Sequence, residues 1–191
     1  MRVIAGEYKG RRIAPVKGAD IRYTSDRVKE SLFSILRGAV PGARFLDLYA
    51  GSGSVGIEAI SRGAESVVFV DLNPVCIKTI SANLARCGLK PGPPRIMLLN
   101  MGMSRAMEYF RRRAIQFDLI FIDPPYRLGM VKKSLQEISA CGILFHDGMA
   151  IAEHDIREDV PTRIETLVMT RQEKYGTTML SFYALATPAN G

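Results

Sequence analysis

Asp47-Leu-Tyr-Ala-Gly51-Ser-Gly53-Ser-Val-Gly56 joins a predicted strand, residues 44–49, to a predicted helix, residues 54–61. Closely spaced glycines at such a junction let the backbone approach a ligand at the carboxyl end of the strand, where open α/β sheets bind nucleotides. Asp71 ends the next predicted strand, 20 residues after Gly51. An acidic side chain at that offset holds ribose hydroxyls. The junction therefore predicts a ligand that contains adenosine.

The same alternation of strand and helix continues along the chain. Further strands are predicted at 66–70, 95–99, 117–122 and 149–153, and further helices at 74–86, 104–113 and 130–140. This order specifies an α/β fold with a mostly parallel sheet and helices on both faces. At the two ends of the chain, turn residues between extended segments predict an N-terminal β-hairpin over 2–23 and a closing antiparallel hairpin of 164–170 with 179–185.

The composition favours one well-buried domain. The chain has 191 residues, of which 47% are hydrophobic, and no apolar run approaches the roughly 20 residues of a membrane span. The three cysteines lack CxxC spacing and there are only two histidines, so we expect neither a disulfide framework nor a metal site. These features predict a cytoplasmic protein without membrane attachment, and we expect it to be a monomer.

Asp123-Pro124-Pro125-Tyr126 follows the apolar run of the predicted strand 117–122. Consecutive prolines remove two backbone donors, fix two φ angles and push the preceding residue towards extended geometry. The stiff segment presents a carboxylate, carbonyl oxygens and an aromatic ring. Those groups suit a planar base with an exocyclic amine, which needs acceptors for its N–H groups and a ring to stack on. Alone, the pattern favours a strand followed by a rigid turn with Tyr126 in the core, and the surrounding motifs reverse that preference.

Positive charge is concentrated near the N-terminus. The net charge is +7, and residues 1–37 contribute +5 of it through nine basic and four acidic side chains. Such a cluster attracts phosphate groups in any sequence, and the attraction weakens with salt. We interpret it as a nucleic-acid surface rather than a merely solvated face, because it accompanies a candidate site for a base. The side chains chosen for their clustering are Arg2, Lys9, Arg11, Arg12, Arg22 and Arg27.

Asp47 bears on the nature of the adenosine-containing ligand. It lies four residues before Gly51, where a carboxylate would oppose the pyrophosphate of a nicotinamide cofactor but would suit the cationic amino-acid moiety of S-adenosylmethionine. Asn100, which ends the third predicted strand, is either a contact for the adenine edge or a turn residue. Glu58 lies on the predicted helix 54–61, and we expect its side chain to be solvated.

These motifs together resemble those of class I S-adenosylmethionine-dependent methyltransferases that modify exocyclic amines of bases. One bacterial family is similar over nearly the whole chain: the small-subunit ribosomal RNA guanine-N2 methyltransferases, which act on guanine 966 of 16S RNA. The opening stretch is the most specific to that family. The similar stretches are Arg2-Val-Ile-Ala-Gly6, Gly10-Arg-Arg, Thr24-Ser-Asp-Arg-Val-Lys-Glu-Ser-Leu-Phe33, Leu46-Asp-Leu-Tyr-Ala-Gly-Ser-Gly53, Gly56-Ile-Glu-Ala-Ile-Ser-Arg-Gly63, Asp123-Pro-Pro-Tyr126 and Tyr175-Gly176.

The resemblance implies a Rossmann-like fold with a seven-stranded, mostly parallel sheet. It divides the chain into an RNA-engaging hairpin extension, residues 1–23, and a methyltransferase domain, residues 24–191. It implies S-adenosylmethionine as the methyl donor and S-adenosylhomocysteine as the product. The implied cofactor contacts are Asp47, Tyr49, Gly51, Gly53, Asp71, Leu72, Asn100 and Met101.

The resemblance also assigns the catalytic residues to Asp123, Pro124, Pro125 and Tyr126. Asp123 and the Pro124 carbonyl would hold the guanine N2 amine, and Tyr126 would stack on the flipped base. Either Asp123 or water takes the proton. The implied partner is 16S RNA in a partly assembled 30S subunit rather than naked RNA.

Two residues depart from the pattern of the family. Tyr23 stands where the family commonly has proline, and Asn100 stands where many methyltransferases have aspartate. The first change removes the stiffness of proline from the connection before residue 24, and the second leaves the adenine contact of Asn100 without support from the family pattern. Neither change touches the transfer chemistry.

Three other functions stay open on the sequence. An adenine-N6 DNA methyltransferase uses a similar tetrapeptide, but 191 residues leave no room for a sequence-reading domain. An NAD-dependent oxidoreductase is disfavoured by Asp47 and by the lack of a clear acid–base residue for hydride chemistry. A non-catalytic RNA-binding assembly factor would need a damaged cofactor pocket, and this motif is intact.

Overall fold

The computed structural model describes residues 1–16, 24–125 and 129–186. The helices are α1 (Asp26–Ile35), α2 (Ser54–Ser61), α3 (Pro74–Arg86), α4 (Met103–Arg112) and α5 (Met130–Cys141). The strands are β1 (Arg44–Leu48), β2 (Ser66–Asp71), β3 (Ile96–Asn100), β4 (Phe117–Ile122), β5 (Leu144–Asp155), β6 (Arg163–Ile164), β7 (Leu167–Tyr175) and β8 (Thr178–Leu185). The predicted alternation is confirmed, with α2, α3 and β4 at their predicted bounds.

The strands form one sheet in the order β3-β2-β1-β4-β5-β8-β7-β6. β1 to β5 pair in parallel, and β8 and β7 continue the sheet in antiparallel pairing. The strand order reverses at β1, which has β2 on one side and β4 on the other. Ligands bind beyond the carboxyl ends of the strands at such a point. The loops after β1, β2 and β4 all reach that edge.

Local signals explain where the first helices begin. The Ser25 side chain accepts a hydrogen bond from the Val28 backbone N–H, which satisfies a donor that the first turn of α1 leaves unpaired. Asn73 does the same for the Val75 N–H at the start of α3, where Pro74 occupies the first helical position. Ser25 is therefore the N-cap of α1.

Each face of the sheet buries its own hydrophobic cluster. Side chains of α1, α2 and α3 pack on one face, together with Val3 and Ile13 from the N-terminal segment. Side chains of α4 and α5 pack on the other face. Within residues 1–16, 24–125 and 129–186, no helix has the length and apolarity needed to cross a membrane.

The sheet has eight strands, so the prediction of seven was wrong. The sequence predicted one strand over 164–170, but the chain turns at Glu165, whose φ is 48°. Ile164 consequently pairs with Leu167, and a two-residue strand, β6, folds back on β7. β5 is longer than the predicted 149–153, because its first residue pairs with β4 and its last residues pair with β8.

The described part of the predicted N-terminal hairpin has one antiparallel bridge, between Arg2 and Arg12, rather than two full strands. Its turn donates hydrogen bonds to α2 instead: the Ile4 and Ala5 N–H groups bond to the Glu58 carboxylate. The approach at Gly6 is so close that a Cβ there would lie 1.7 Å from the Ser61 carbonyl oxygen. These contacts to the core add to the segment's own backbone bonds, such as that from the Val3 N–H to the Arg11 carbonyl oxygen at 2.9 Å. Residues 17–23 of the predicted hairpin lie outside the described part of the chain.

Candidate active site

The glycine-rich loop after β1 is held by two carboxylates. The Gly51 N–H donates to Asp71 Oδ2 at 2.9 Å, and the Gly56 N–H donates to Asp47 Oδ2 at 2.9 Å. Gly53 caps α2 with a φ of 75°, a left-handed conformation that favours glycine. The two acidic residues singled out from the sequence therefore shape the loop itself.

Asp47 lies beneath this loop and is only 2% exposed. Burial raises the pKa of the Asp47 carboxyl to about 8, the Gly56 N–H opposes that shift, and the negative charge of Asp71 adds to it. Asp47 is not among the residues that line the neighbouring cavity. The sequence predicted a carboxylate directed at a cationic ligand, and in the structure this side chain supports the loop.

An open cavity of about 250 Å³ lies beside the loop, at the carboxyl ends of β1 and β2. Four of the predicted cofactor contacts line it: Tyr49, Asp71, Leu72 and Met101. Leu72 is 74% exposed, which is unusual for a large apolar side chain and provides an uncovered hydrophobic surface at the rim. The cavity thus combines a carboxylate with an apolar surface.

Asn100 has a structural task at the same edge. Its side-chain amide donates to the carbonyl oxygens of Asp71 and Leu72, at 3.0 and 2.9 Å. These bonds hold the end of β2 against the end of β3. Asn100, Gly51 and Gly53 do not line the cavity, so Asn100 shapes it from outside, as Asp47 does.

The sequence motifs did not indicate the contribution of α4 and α5 to this cavity. The residues Ser104, Arg105, Met130 and Lys133 belong to the first turns of these helices and line a wall of the cavity. The alternation of strands and helices could have indicated this contribution, because a helix that follows a parallel strand begins at the carboxyl edge of the sheet. Tyr49 is connected to this wall, since its hydroxyl lies 3.0 Å from Ser134 Oγ, and burial raises the pKa of that hydroxyl.

The tetrapeptide begins at the same edge, directly beside the loop after β1. Leu48 of β1 pairs with Ile122 of β4, and the Asp123 N–H donates to the Leu48 carbonyl oxygen at 3.5 Å. Asp123 is half-buried, Pro124 is buried and Pro125 is exposed. Tyr126 lies outside the described residues. The structure therefore brings Asp123 and the start of the glycine loop together.

The predicted basic side chains of the N-terminal region are exposed on an anchored segment. Arg2, Lys9, Arg11, Arg12 and Arg27 are all exposed, and Arg22 lies outside the described residues. The backbone beneath them is fixed by further bonds to α2, including one from the Tyr8 N–H to Ser61 Oγ at 3.0 Å. Positive charge is thus displayed on a part of the chain that the core holds in place.

Glu58 was expected to be solvated, and that prediction was wrong, because its side chain is fully buried. It lies 3.8 Å from the Lys29 ammonium and 2.7 Å from the Arg62 guanidinium, and it accepts the two backbone N–H groups of the N-terminal turn. Burial lowers the pKa of Lys29, and the charge of Glu58 opposes that shift. Helical periodicity alone did not indicate that another segment covers α2.

The chain is similar to known proteins over almost its whole length. Residues 1–184 match the family described as "Conserved hypothetical protein 95". The chain is 40% identical over 183 residues to a Bacillus subtilis protein named "Putative rRNA methyltransferase YlbH", covering 96% of this chain and 98% of that one. It is 30% identical over 162 residues to the Escherichia coli "Ribosomal RNA small subunit methyltransferase D", covering 85% and 78% respectively.

The chain belongs to this methyltransferase family. A solved structure described as "Putative methyltransferase yhhF from Escherichia coli" superposes with a TM-score of 0.81 at 26% identity, and the match covers 97% of each chain. The resemblance found in the sequence is thereby confirmed at the level of family and of class I methyltransferase fold. Because the family consists of methyltransferases, we treat the cavity beside Asp71 and the tetrapeptide at Asp123 as two parts of one candidate active site.

The described residues contain no group of three or more histidine, cysteine, aspartate or glutamate side chains arranged to hold a metal ion. Cys76 and Cys87 are buried, and burial raises the pKa of both thiols. Their thiolates are correspondingly disfavoured.

Proposed function

We propose that this protein transfers a methyl group from S-adenosylmethionine to the exocyclic N2 of a guanine in 16S ribosomal RNA. The family relationship carries the proposal, since the relative in Escherichia coli is named as a small-subunit ribosomal RNA methyltransferase. The tetrapeptide at Asp123 supports an amine as the methyl acceptor. The assignment to guanine 966 follows the resemblance to the family.

The cavity beside Asp71 fits S-adenosylmethionine in its chemistry. A carboxylate has about four acceptor positions, and Asp71 uses its oxygens for the N–H groups of Gly51 and Asn73, so capacity for ribose hydroxyls is left. Leu72 and Met101 offer apolar surface for an adenine ring. Gly51 and Gly53 let the backbone approach the ligand, Tyr49 closes the wall, and Asp47 and Asn100 hold these groups in position.

The protein has to orient the amine, because the bound cofactor supplies a strongly electrophilic methyl group. Holding two reactants in line lowers the barrier without further chemistry. Asp123 and the Pro124 carbonyl would accept hydrogen bonds from the N2 amine and favour its pyramidal, nucleophilic form. Pro125 stiffens the segment, and Tyr126 would stack on the base, a contact worth about 1–3 kcal/mol. Asp123 or water then takes the proton.

The basic N-terminal segment would engage the RNA. We retain the division into an extension, residues 1–23, and a methyltransferase domain, residues 24–191, as a functional one. Exposed arginine and lysine side chains on an anchored backbone suit the phosphates of folded RNA. We therefore propose that the substrate is a partly assembled 30S subunit, that the enzyme acts in the cytoplasm and that it works as a monomer.

Methyl transfer itself tests the proposal. Tritium from labelled S-adenosylmethionine is expected in unmethylated 30S particles, at position N2 of one guanine, and not in duplex DNA. Transfer into adenine of duplex DNA would support an adenine-N6 methyltransferase instead. Binding of NAD without S-adenosylmethionine binding would support an oxidoreductase, and cofactor binding without any transfer would support an assembly factor.

A further inference from the structure

Glu153 lies beside the tetrapeptide, and neither the sequence motifs nor the proposed mechanism assigns it a role. Ile122 pairs with Ala152, so the next residues of the two parallel strands, Asp123 and Glu153, are neighbours at the carboxyl edge. Side chains alternate between the faces of a strand. Phe121 and Ile151 both pack in the cluster under α1 to α3, so Asp123 and Glu153 are directed to that same face.

Glu153 is only 2% exposed. Its Oε2 atom accepts a hydrogen bond of 2.7 Å from the Thr24 hydroxyl, and Thr24 is itself only 6% exposed. Burial of a carboxyl group is unfavourable unless it is hydrogen-bonded, and apolar residues of similar volume often serve stability as well or better. The bond joins residues 129 positions apart. It connects the start of α1 to the strand beside Asp123.

Thr24 directly follows the basic N-terminal segment, residues 1–23. Within that segment, Ala14 is fixed by Asn83, which is fully buried: its Oδ1 accepts from the Ala14 N–H at 2.9 Å and its amide donates to the Ala14 carbonyl at 3.0 Å. The same Asn83 amide donates to the Ser52 carbonyl in the glycine loop at 2.9 Å. The two ends of residues 14–24 are therefore tied to the two parts of the candidate active site.

We infer that Glu153 is a positioning residue that, through the Thr24 hydroxyl, fixes the end of the basic segment beside Asp123 and so aligns bound RNA with the transfer site. This inference rests on the proposed function, because it takes RNA as the partner of the segment. Arg27, one of the predicted RNA contacts, is exposed in the first turn of α1, three residues after Thr24. Release of the Thr24 anchor would leave the cofactor cavity in place and free the start of α1, with this charge, from the strand beside Asp123.

Thr24→Val tests the inference, because it removes the hydroxyl and keeps the shape. We expect its Kd for unmethylated 30S particles to rise about tenfold, with an unchanged Kd for S-adenosylmethionine. The slope of log Kd against log salt should also become shallower by about one for each phosphate that the protein no longer neutralises. Thr24→Ser retains the hydroxyl and should restore both values. If Thr24→Val does not fold, Thr24→Ala is measured in its place.

Thr170→Val is the matched control, since the Thr170 hydroxyl donates to the Phe182 carbonyl on β8, in a bond that involves neither Glu153 nor the N-terminal segment. It should leave particle binding unchanged. Three results would each overturn the inference. The first is a wild-type Kd and salt slope in Thr24→Val, and the second is a loss of S-adenosylmethionine affinity together with RNA affinity in that variant. The third is a failure of the wild-type protein to bind the particles. Binding as expected without methyl transfer by wild-type protein would refute the proposed function alone.

Discussion

The cofactor cavity and the N-terminal segment are held in place by contacts of different range. The loop that borders the cavity depends on the bonds of Gly51 to Asp71 and of Gly56 to Asp47, which join residues 20 and 9 positions apart. The N-terminal segment depends on bonds from Ile4 to Glu58, from Ala14 to Asn83 and from Thr24 to Glu153, over 54, 69 and 129 positions. One region is built by consecutive strand–helix units, and the other exists only once the domain has folded.

The largest expected effect comes from the residue at which the two regions meet. Asp123→Ala should abolish methyl transfer, by a factor of about a thousand or more in kcat, because the amine loses an acceptor that orients it. S-adenosylmethionine should still bind with wild-type Kd. Initial rates with tritiated cofactor and equilibrium dialysis measure the two quantities.

Asp118→Ala provides the control for that variant. Asp118 lies near the other end of the same strand and pairs with Arg44 at 3.0 Å. We expect full transfer activity after this change, since the pair is remote from the carboxyl edge. An active Asp123→Ala enzyme would disprove the proposed mechanism.

The anchoring of the N-terminal segment can be broken at Glu58. Glu58→Ala leaves the buried Lys29 ammonium without its carboxylate and the Ile4 and Ala5 N–H groups without an acceptor. We expect the free energy of unfolding to fall by about 3–5 kcal/mol, with faster proteolysis of the first residues. Urea titration and limited proteolysis measure these changes.

The matched control for this variant is Glu108→Ala, which removes an exposed ion pair with Arg112 on α4. Such a surface pair contributes about 0.3–0.5 kcal/mol. Equal losses of stability in the two variants would show that the buried network does not hold the N-terminal segment.

The cofactor region can be strained without any change of charge by Gly56→Ala. A Cβ at that position would lie 2.3 Å from Phe69 Cε1 and 3.0 Å from Asp47 Oδ2. We expect a loss of about 1–3 kcal/mol in stability and, because the glycine loop shifts, about a tenfold higher Kd for S-adenosylmethionine. Calorimetric titration measures the affinity. Gly38→Ala, where a Cβ would meet nothing within 4 Å, is the control and should bind normally.

The last expected effect concerns the pH dependence of stability. Burial raises the pKa of Asp47 to about 8, so the folded protein favours the protonated carboxyl. The stability from this group is fully present below its unfolded pKa, near 3.8, and is lost as the pH rises through about 8.

Asp47→Asn removes this titration and keeps an oxygen for the Gly56 N–H. The free energy of unfolding of the variant relative to wild type should therefore rise by about 4 kcal/mol between pH 5 and pH 8. Urea titrations of both proteins at the two pH values measure it. A constant difference would show that Asp47 has no raised pKa in the folded protein.

The amino-acid sequence alone was enough to predict the parallel part of the fold. Alternating apolar runs and glycine-rich junctions place β1 to β5 and α2 to α5, and the positions of Asp71 and Asp123 after apolar strands bring them to one edge of the sheet. These predictions were possible because hydrophobic periodicity and short connections between elements depend on residues that are close together in the sequence. The family relationship was accessible for the same reason, because its motifs lie in those junctions.

Tertiary structure alone decided which polar side chains are buried and what they hold. Glu58 and Asn83 lie on helices whose sequence does not indicate that the N-terminal segment covers them, and Glu153 lies on β5, far from Thr24 in the chain. The turn at Glu165 likewise depends on pairing with β7. A hydrogen bond between distant residues depends on how the elements pack, and no local pattern records that arrangement.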